Sequence, residues 1–182
     1  RNQLGWSTKI TFEELVEEMR KENIHLVPII DGGVKKEDGY DVYEEGKANG
    51  YFCKDENGED FIIGVWPGKC CFPDMLDDKA RQWFGDKYRI LIDKGIDGFW
   101  NDMNEPASFR GPLPDDVMFN NDGIPVQHKE AHNVYAHFMA KATYDGLKKE
   151  TGKRPFIVTR AAYAGTQKYS TVWTGDNQST LE

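Results

Sequence analysis

The sequence predicts an α/β fold: a partial (β/α)8 barrel of about four parallel strands, with intervening helices and long loops after the strands. Three observations carry that expectation. Helical and strand patterns alternate along the chain, which is how a parallel sheet is written in sequence. Each expected strand ends in a polar or charged residue, Asp31, Asp102, Arg160 or Asp176, and a barrel gathers such tips on one face. A doubly wound open sheet is the alternative, but the chain has no glycine-rich phosphate loop to support it. The 182 residues are read as one fragment of a barrel domain, with no second domain.

Residues 11–23 open the pattern as an amphipathic helix. Thr11 and Glu14 form a capping box, and Phe12, Leu15, Val16 and Met19 follow at helical spacing. The nearly unbroken apolar run His25-Leu26-Val27-Pro28-Ile29-Ile30 reads as a buried strand that opens at Asp31-Gly32-Gly33. Pro28 within it argues against regular pairing along its whole length. Residues 32–76 read as a long polar and aromatic loop carrying Val65-Trp66-Pro67-Gly68; loops of that length are usually functional. A helix over 77–94 follows, with Ala80, Trp83, Phe84, Tyr88 and Leu91 on one face. The strand 96–101 then delivers a carboxylate, Asp102, to its own tip. Residues 106–127 read as a second loop, 129–149 as a helix, 155–159 as a strand ending at Arg160, and 170–175 as a strand leading to Asp176.

Composition narrows the partners. A net charge of −8 argues against nucleic acid or an anionic membrane surface, and no stretch approaches the ~18 apolar residues of a membrane span. Three cysteines, two of them adjacent, make neither a disulfide framework nor a metal knuckle. That usage points to a reducing, cytoplasmic setting. Neither end carries a terminal signature, so the chain reads as a piece of something longer.

Carboxylates and a guanidinium at converging strand ends, with no Ser/His pair among them, set aside nucleophilic acyl transfer. The two-carboxylate chemistry of glycoside hydrolysis fits better: one group attacks or stabilises the cationic sugar centre, and the other protonates the leaving oxygen. Trp66 and Trp173 offer faces for sugar stacking, and Arg160 offers a donor to a sugar hydroxyl and a positive charge for a neighbouring carboxylate.

At this point a family resemblance enters. Trp100-Asn101-Asp102-Met103-Asn104-Glu105-Pro106 resembles the nucleophile signature of glycoside hydrolase family 31, the α-glucosidase family. Ile29-Ile30-Asp31-Gly32-Gly33-Val34 is similar to its strand-end aspartate motif. Val65-Trp66-Pro67-Gly68 followed by Phe72-Pro73-Asp74 is similar to its aromatic loop. Arg154 through Arg160 and Trp173-Thr174-Gly175-Asp176-Asn177 resemble its arginine and acid/base block, and His132-Asn133-Val134-Tyr135 its intervening helix. The resemblance spans the chain from about Phe12 onward. It implies Asp102 as nucleophile of a retaining α-glucosidase and Asp176 as general acid/base. It also implies Asp31 and Arg160 as sugar contacts, and Trp66, Met103 and Trp173 as lining of the pocket for the terminal glucose. The expected substrate is a small α-glucoside, and neither metal nor organic cofactor is called for. In a retaining enzyme the two catalytic carboxyls lie roughly 5–5.5 Å apart.

Rival readings are an α-xylosidase or α-transglucosylase on the same scaffold, and a catalytically silent sugar-binding fragment. Xylosidase-like members place Phe-Gly-Glu after the nucleophile; Met103-Asn104-Glu105 stands here. His128 and His132 lie four apart on a helix, but their order is not that of a zinc protease, and they read as structural. Asn177-Gln178-Ser179 matches a glycosylation sequon by chance.

Overall fold

The computed structural model describes residues 10–176; the sequon at Asn177 lies outside them. In chain order the elements are α1 (Phe12–Lys21), β1 (Ile29–Asp31), β2 (Val34–Lys35), α2 (Asp41–Ala48), β3 (Ile62–Val65), β4 (Gly68–Cys71), α3 (Asp78–Lys87) and α4 (Arg89–Ile92). They continue with β5 (Gly98–Asp102), β6 (Ala107–Ser108), β7 (Gly111–Pro112), β8 (Met118–Phe119), β9 (Val126–Gln127), α5 (His128–Thr151), β10 (Phe156–Thr159) and β11 (Thr171–Val172).

Four strands form the parallel sheet, in the order β1-β5-β10-β11. Register places Asp31 beside Asp102, Ile29 and Val158 beside Trp100, and Phe156 beside Gly98. Because strand side chains alternate between faces, the burial pattern separates two sides of the sheet. Phe99, Asn101, Ile157 and Thr159 are buried. On that side Phe99 meets the Tyr88 ring edge-on at 4.8 Å. Asn101 accepts from the Tyr88 hydroxyl at 3.0 Å and donates to Thr143 Oγ1 of α5 at 3.0 Å. The opposite face carries Ile29, Trp100, Asp102, Phe156 and Val158. It is open at its base, with Ile29 51% and Phe156 52% exposed. One face of a parallel sheet packed on helices, with the other lined by apolar side chains below and acidic tips above, is the wall of a barrel seen from inside. Gly98 belongs to that inner face, where a Cβ would come within 2.9 Å of the Phe156 ring.

The helices follow their signals. At α1 the capping box is formed: Glu14 N–H donates to Thr11 Oγ1 at 3.2 Å and Thr11 N–H to the Glu14 carboxylate at 2.6 Å. Asp77 caps α3 through the Ala80 N–H at 3.0 Å. Where 77–94 was expected to be one helix, Tyr88 divides it into α3 and α4, its ring turned inward to the Asn101–Thr143 cluster. α3 and α5 cross at Gly85 and Gly146, where a Cβ on Gly85 would lie 2.6 Å from the Ala142 carbonyl oxygen. α5 ends at Gly152 in the left-handed conformation, φ 67°.

The strand at 25–30 is shorter than its apolar run. Only Ile29–Asp31 pair, and below them the Pro28 carbonyl still accepts from Trp100 N–H at 3.0 Å. The larger correction is 32–76, which is not a loop. It holds α2 and an antiparallel sheet ordered β2-β4-β3, whose hairpin turns at Trp66-Pro67 with Gly68 at φ 110°. Cys53 and the β4 residues Cys70 and Cys71 are buried free thiols, and burial pushes Cys70 and Cys71 up to about 11. Residues 106–127 likewise contain two short hairpins, β6–β7 and β8–β9. Among the described residues no helix is long and apolar enough to cross a membrane. Nor do three or more His, Cys, Asp or Glu residues there converge to hold a metal.

Candidate active site

The site lies at the C-terminal ends of β1, β5 and β10, where a barrel places its chemistry. Asp31 and Asp102 close adjacent strands as register partners. Arg160 follows β10, its backbone N–H bonded to the Asn101 carbonyl at 3.1 Å. Its guanidinium is the hub. Nε and Nη2 donate to the two Glu105 carboxylate oxygens at 2.9 and 2.8 Å, and Nη2 also reaches Met103 Sδ at 3.0 Å. Nη1 lies 3.3 Å from Asp176 Oδ2, and Nε lies 3.3 Å from Asp102 Oδ1. A single cation therefore stands within ion-pair reach of three carboxylates.

The chain after Asp102 is shaped to deliver these groups. Met103 takes a left-handed backbone, φ 51°, a conformation costing roughly 1–2 kcal/mol for a residue with a Cβ. It persists because Asn104, fully buried, ties the turn to β10: its Nδ2 donates to Thr159 Oγ1 at 2.8 Å, and its Oδ1 accepts from Ala161 N–H at 3.1 Å. Those bonds hold the Thr159 side chain and the Ala161 backbone, the neighbours of Arg160 on either side.

Several polar atoms on the inner face are uncommitted. Asp31 Oδ1, Asp102 Oδ1 and Trp100 Nε1 are buried without a hydrogen-bond partner among the described residues. Buried polar groups are normally paired, so three unpaired ones on one face mark a place built for a polar ligand. Burial and, after it, the Asp102 charge push the Asp31 carboxyl above its usual range, and Arg160 opposes them. Glu105 is the first cause raising Arg160, which stays a cation.

Asp31, Asp102, Met103, Arg160 and Asp176 converge, Asp176 being the most open with its side chain 73% exposed. Trp173 packs edge-on against Trp100 at 4.7 Å between ring centroids, on the inner face below Asp102. Trp66 is 70% exposed on the β3–β4 turn and meets Phe109, itself exposed on the β6–β7 turn, edge-on at 5.0 Å. A cleft of about 550 Å³ touches Asp31 from the side of Tyr40, Phe84 and Leu91, but neither Asp102 nor Asp176 lines it. It runs along the free edge of β1 rather than over the carboxylates.

Sequence reasoning passed over Glu105, Trp100 and Phe109. For Glu105 a signal was present in its place three residues after Asp102. For the two aromatics only the fold reveals the contact.

A barrel segment bearing an acid-rich constellation on its C-terminal strand ends is the class that fold and site define. The chain belongs to glycosyl hydrolases family 31, whose TIM-barrel domain matches residues 3–182. It is 47% identical over 173 residues to alpha-glucosidase 2 of Bacillus thermoamyloliquefaciens, covering 93% of this chain and 22% of that protein. It is 42% identical over 162 residues to a probable glucan 1,3-alpha-glucosidase of Oryza sativa subsp. japonica, covering 85% of this chain and 17% of that one. A crystal structure of glucosidase II alpha subunit superposes with a TM-score of 0.81 at 30% identity, covering 92% and 19%. The GH31 dextranase of Flavobacterium johnsoniae complexed with glucose gives 0.77 at 26%, covering 91% and 20%. The chain thus spans about a fifth of the length of these relatives and part of their catalytic domain.

Proposed function

We propose that the protein is a retaining α-glucosidase that releases terminal, non-reducing α-linked glucose from oligosaccharides or glycosides. The observation that carries this reading is the arrangement around Arg160: one guanidinium 3.3 Å from both Asp102 and Asp176, with Asp102 Oδ1 free of hydrogen bonds. The relatives named as alpha-glucosidases support the choice of sugar.

In the first step Asp102 attacks the anomeric carbon, and Asp176 gives its proton to the departing glycosidic oxygen. A covalent glucosyl-Asp102 ester and the free aglycone result. In the second step Asp176 takes a proton from water, whose oxygen displaces Asp102, and glucose leaves with its original configuration. Asp31, with one oxygen uncommitted, accepts from sugar hydroxyls, and Arg160 donates to the sugar through its remaining Nη1 hydrogen. Proton transfer and attack are both performed by carboxylates, so the chemistry calls for no cofactor. The exposed Trp66–Phe109 pair offers a stacking face to the sugar.

Turnover of an aryl α-glucoside, followed by NMR, tests the reading. The expected first product is α-glucose, with turnover of the matching α-xyloside slower and Asp102→Ala inactive. β-Glucose as first product, or activity that survives Asp102→Ala, contradicts it. Sugar binding without turnover favours a silent fragment instead.

A further inference from the structure

We propose that Glu105 is a positioning residue that holds the Arg160 guanidinium off the Asp102 carboxylate, so that the carboxylate keeps its charge free of an Arg160 hydrogen bond. The proposal rests on the assignment of Asp102 as nucleophile.

A guanidinium has five N–H hydrogens in a fixed plane. On Arg160 the two of the Nε edge go to Glu105 as a two-point fork, at 2.9 and 2.8 Å. The second Nη2 hydrogen faces Met103 Sδ at 3.0 Å, and one Nη1 hydrogen faces Asp176 at 3.3 Å. Asp102 Oδ1 stands 3.3 Å from Nε, close enough for ion pairing. Nε has a single hydrogen, however, and Glu105 takes it. That is why Asp102 Oδ1 is near a cation and still without a hydrogen bond.

The distinction matters for attack. A carboxylate that accepts a charge-assisted hydrogen bond is stabilised in the resting state and is the weaker nucleophile for it. Glu105 satisfies the fork, leaving Arg160 as a nearby positive charge that does not occupy the nucleophile. The turn serves this end: Met103 reverses the chain in a left-handed conformation and Asn104 anchors it to β10. Glu105 is thereby brought to the far edge of the guanidinium. A salt bridge that only secured the loop would need no such separation of Asp102 from the Nε hydrogen.

Glu105→Gln in the full-length protein keeps the shape and removes the charge, freeing the Nε–H to turn to Asp102. The expected kcat on an aryl α-glucoside falls roughly 10–100-fold, the range typical of residues that orient a reacting group, while KM stays within about 3-fold. The Arg160 Nε–H resonance, assigned by comparison with Arg160→Lys, is expected to move. Glu105→Asp, with a shorter carboxylate, recovers part of kcat, and it carries the same readouts should Glu105→Gln not fold. A kcat within about 3-fold of the parent, or an unmoved Nε–H resonance, overturns the proposal. If the parent itself neither turns over α-glucosides nor is labelled at Asp102, it is the proposed function that fails. That outcome overturns this inference as well, whereas a parent that is active and labelled at Asp102, with kcat unchanged in Glu105→Gln, overturns this inference alone.

Discussion

At the scale of single residues, the site shows what a strand pattern reveals and what it conceals. Asp102 is legible because an apolar strand, Gly98-Phe99-Trp100, stops abruptly at it, and Asp31 and Arg160 are legible for the same reason. Glu105 is concealed because its partner Arg160 lies far along the chain and only the β5–β10 pairing brings them together. Trp66 packs with Phe109 on two exposed turns, a contact no spacing announces. Asp31 carries a prediction. Its carboxyl is raised by burial and by Asp102. A group raised in the folded state contributes its stability below its unfolded value, near 3.9, and loses it as the pH climbs through the folded value. Ionised Asp31 therefore costs stability at neutral pH. Asp31→Asn is expected to stabilise the fold at pH 7 by a few tenths to about 1 kcal/mol, the cost being screened because Asp31 is only half-buried. The gain should vanish near pH 3, and sugar affinity should fall. Thermal midpoints of both proteins across that pH range check it; an unchanged or lower midpoint at pH 7 contradicts it.

At the scale of elements, long helices and central strands were legible and the short ones were not. The capping box of α1 and the apolar periodicity of α5 carry enough residues to declare themselves. The two residues of β2 have no period to read, and α2 follows Tyr40, which gives it no side-chain cap, and buries only Val42, Tyr43 and Gly46. The region 32–76 looks like a loop in sequence because its elements are stabilised by one another and by distant segments. Asp74 shows this well. Nearly fully buried, it accepts from Leu76 and Asp77 N–H at 3.0 and 3.2 Å, and from Asn120 N–H at 2.5 Å. It thereby pins the β8–β9 region to the start of α3. Burial raises its carboxyl against those three bonds, which favour the ionised form. Asp74→Ala leaves three backbone donors without their acceptor, and a loss of about 2–4 kcal/mol is expected in urea unfolding. A change under about 0.5 kcal/mol, typical of a surface position, contradicts that role.

At the scale of the whole molecule, the alternation of helix and strand was sufficient to give a parallel sheet with its polar tips on one side. What alternation does not give is closure. The described strands bury one face on α3, α4 and α5, while the lower inner face leaves Ile29 and Phe156 about half exposed beside Trp100 and Val158. Apolar surface of this kind is covered by further strands in a closed barrel. The 182-residue chain on its own is therefore expected to bind an apolar dye such as ANS strongly and to self-associate with rising concentration. A dye-silent monomer contradicts the open-face description. The upper part of the same face carries the central claim, that Asp102 is the group that bonds to sugar. Its most direct test is peptide mass spectrometry of the full-length protein after incubation with a fluorinated glucosyl donor that forms the ester readily and loses it slowly. One fluoro-glucosyl mass increment is expected, located on Asp102 and absent from Asp102→Asn. An increment on Asp31 or Asp176 instead, or none in a protein that turns over α-glucosides, would contradict it.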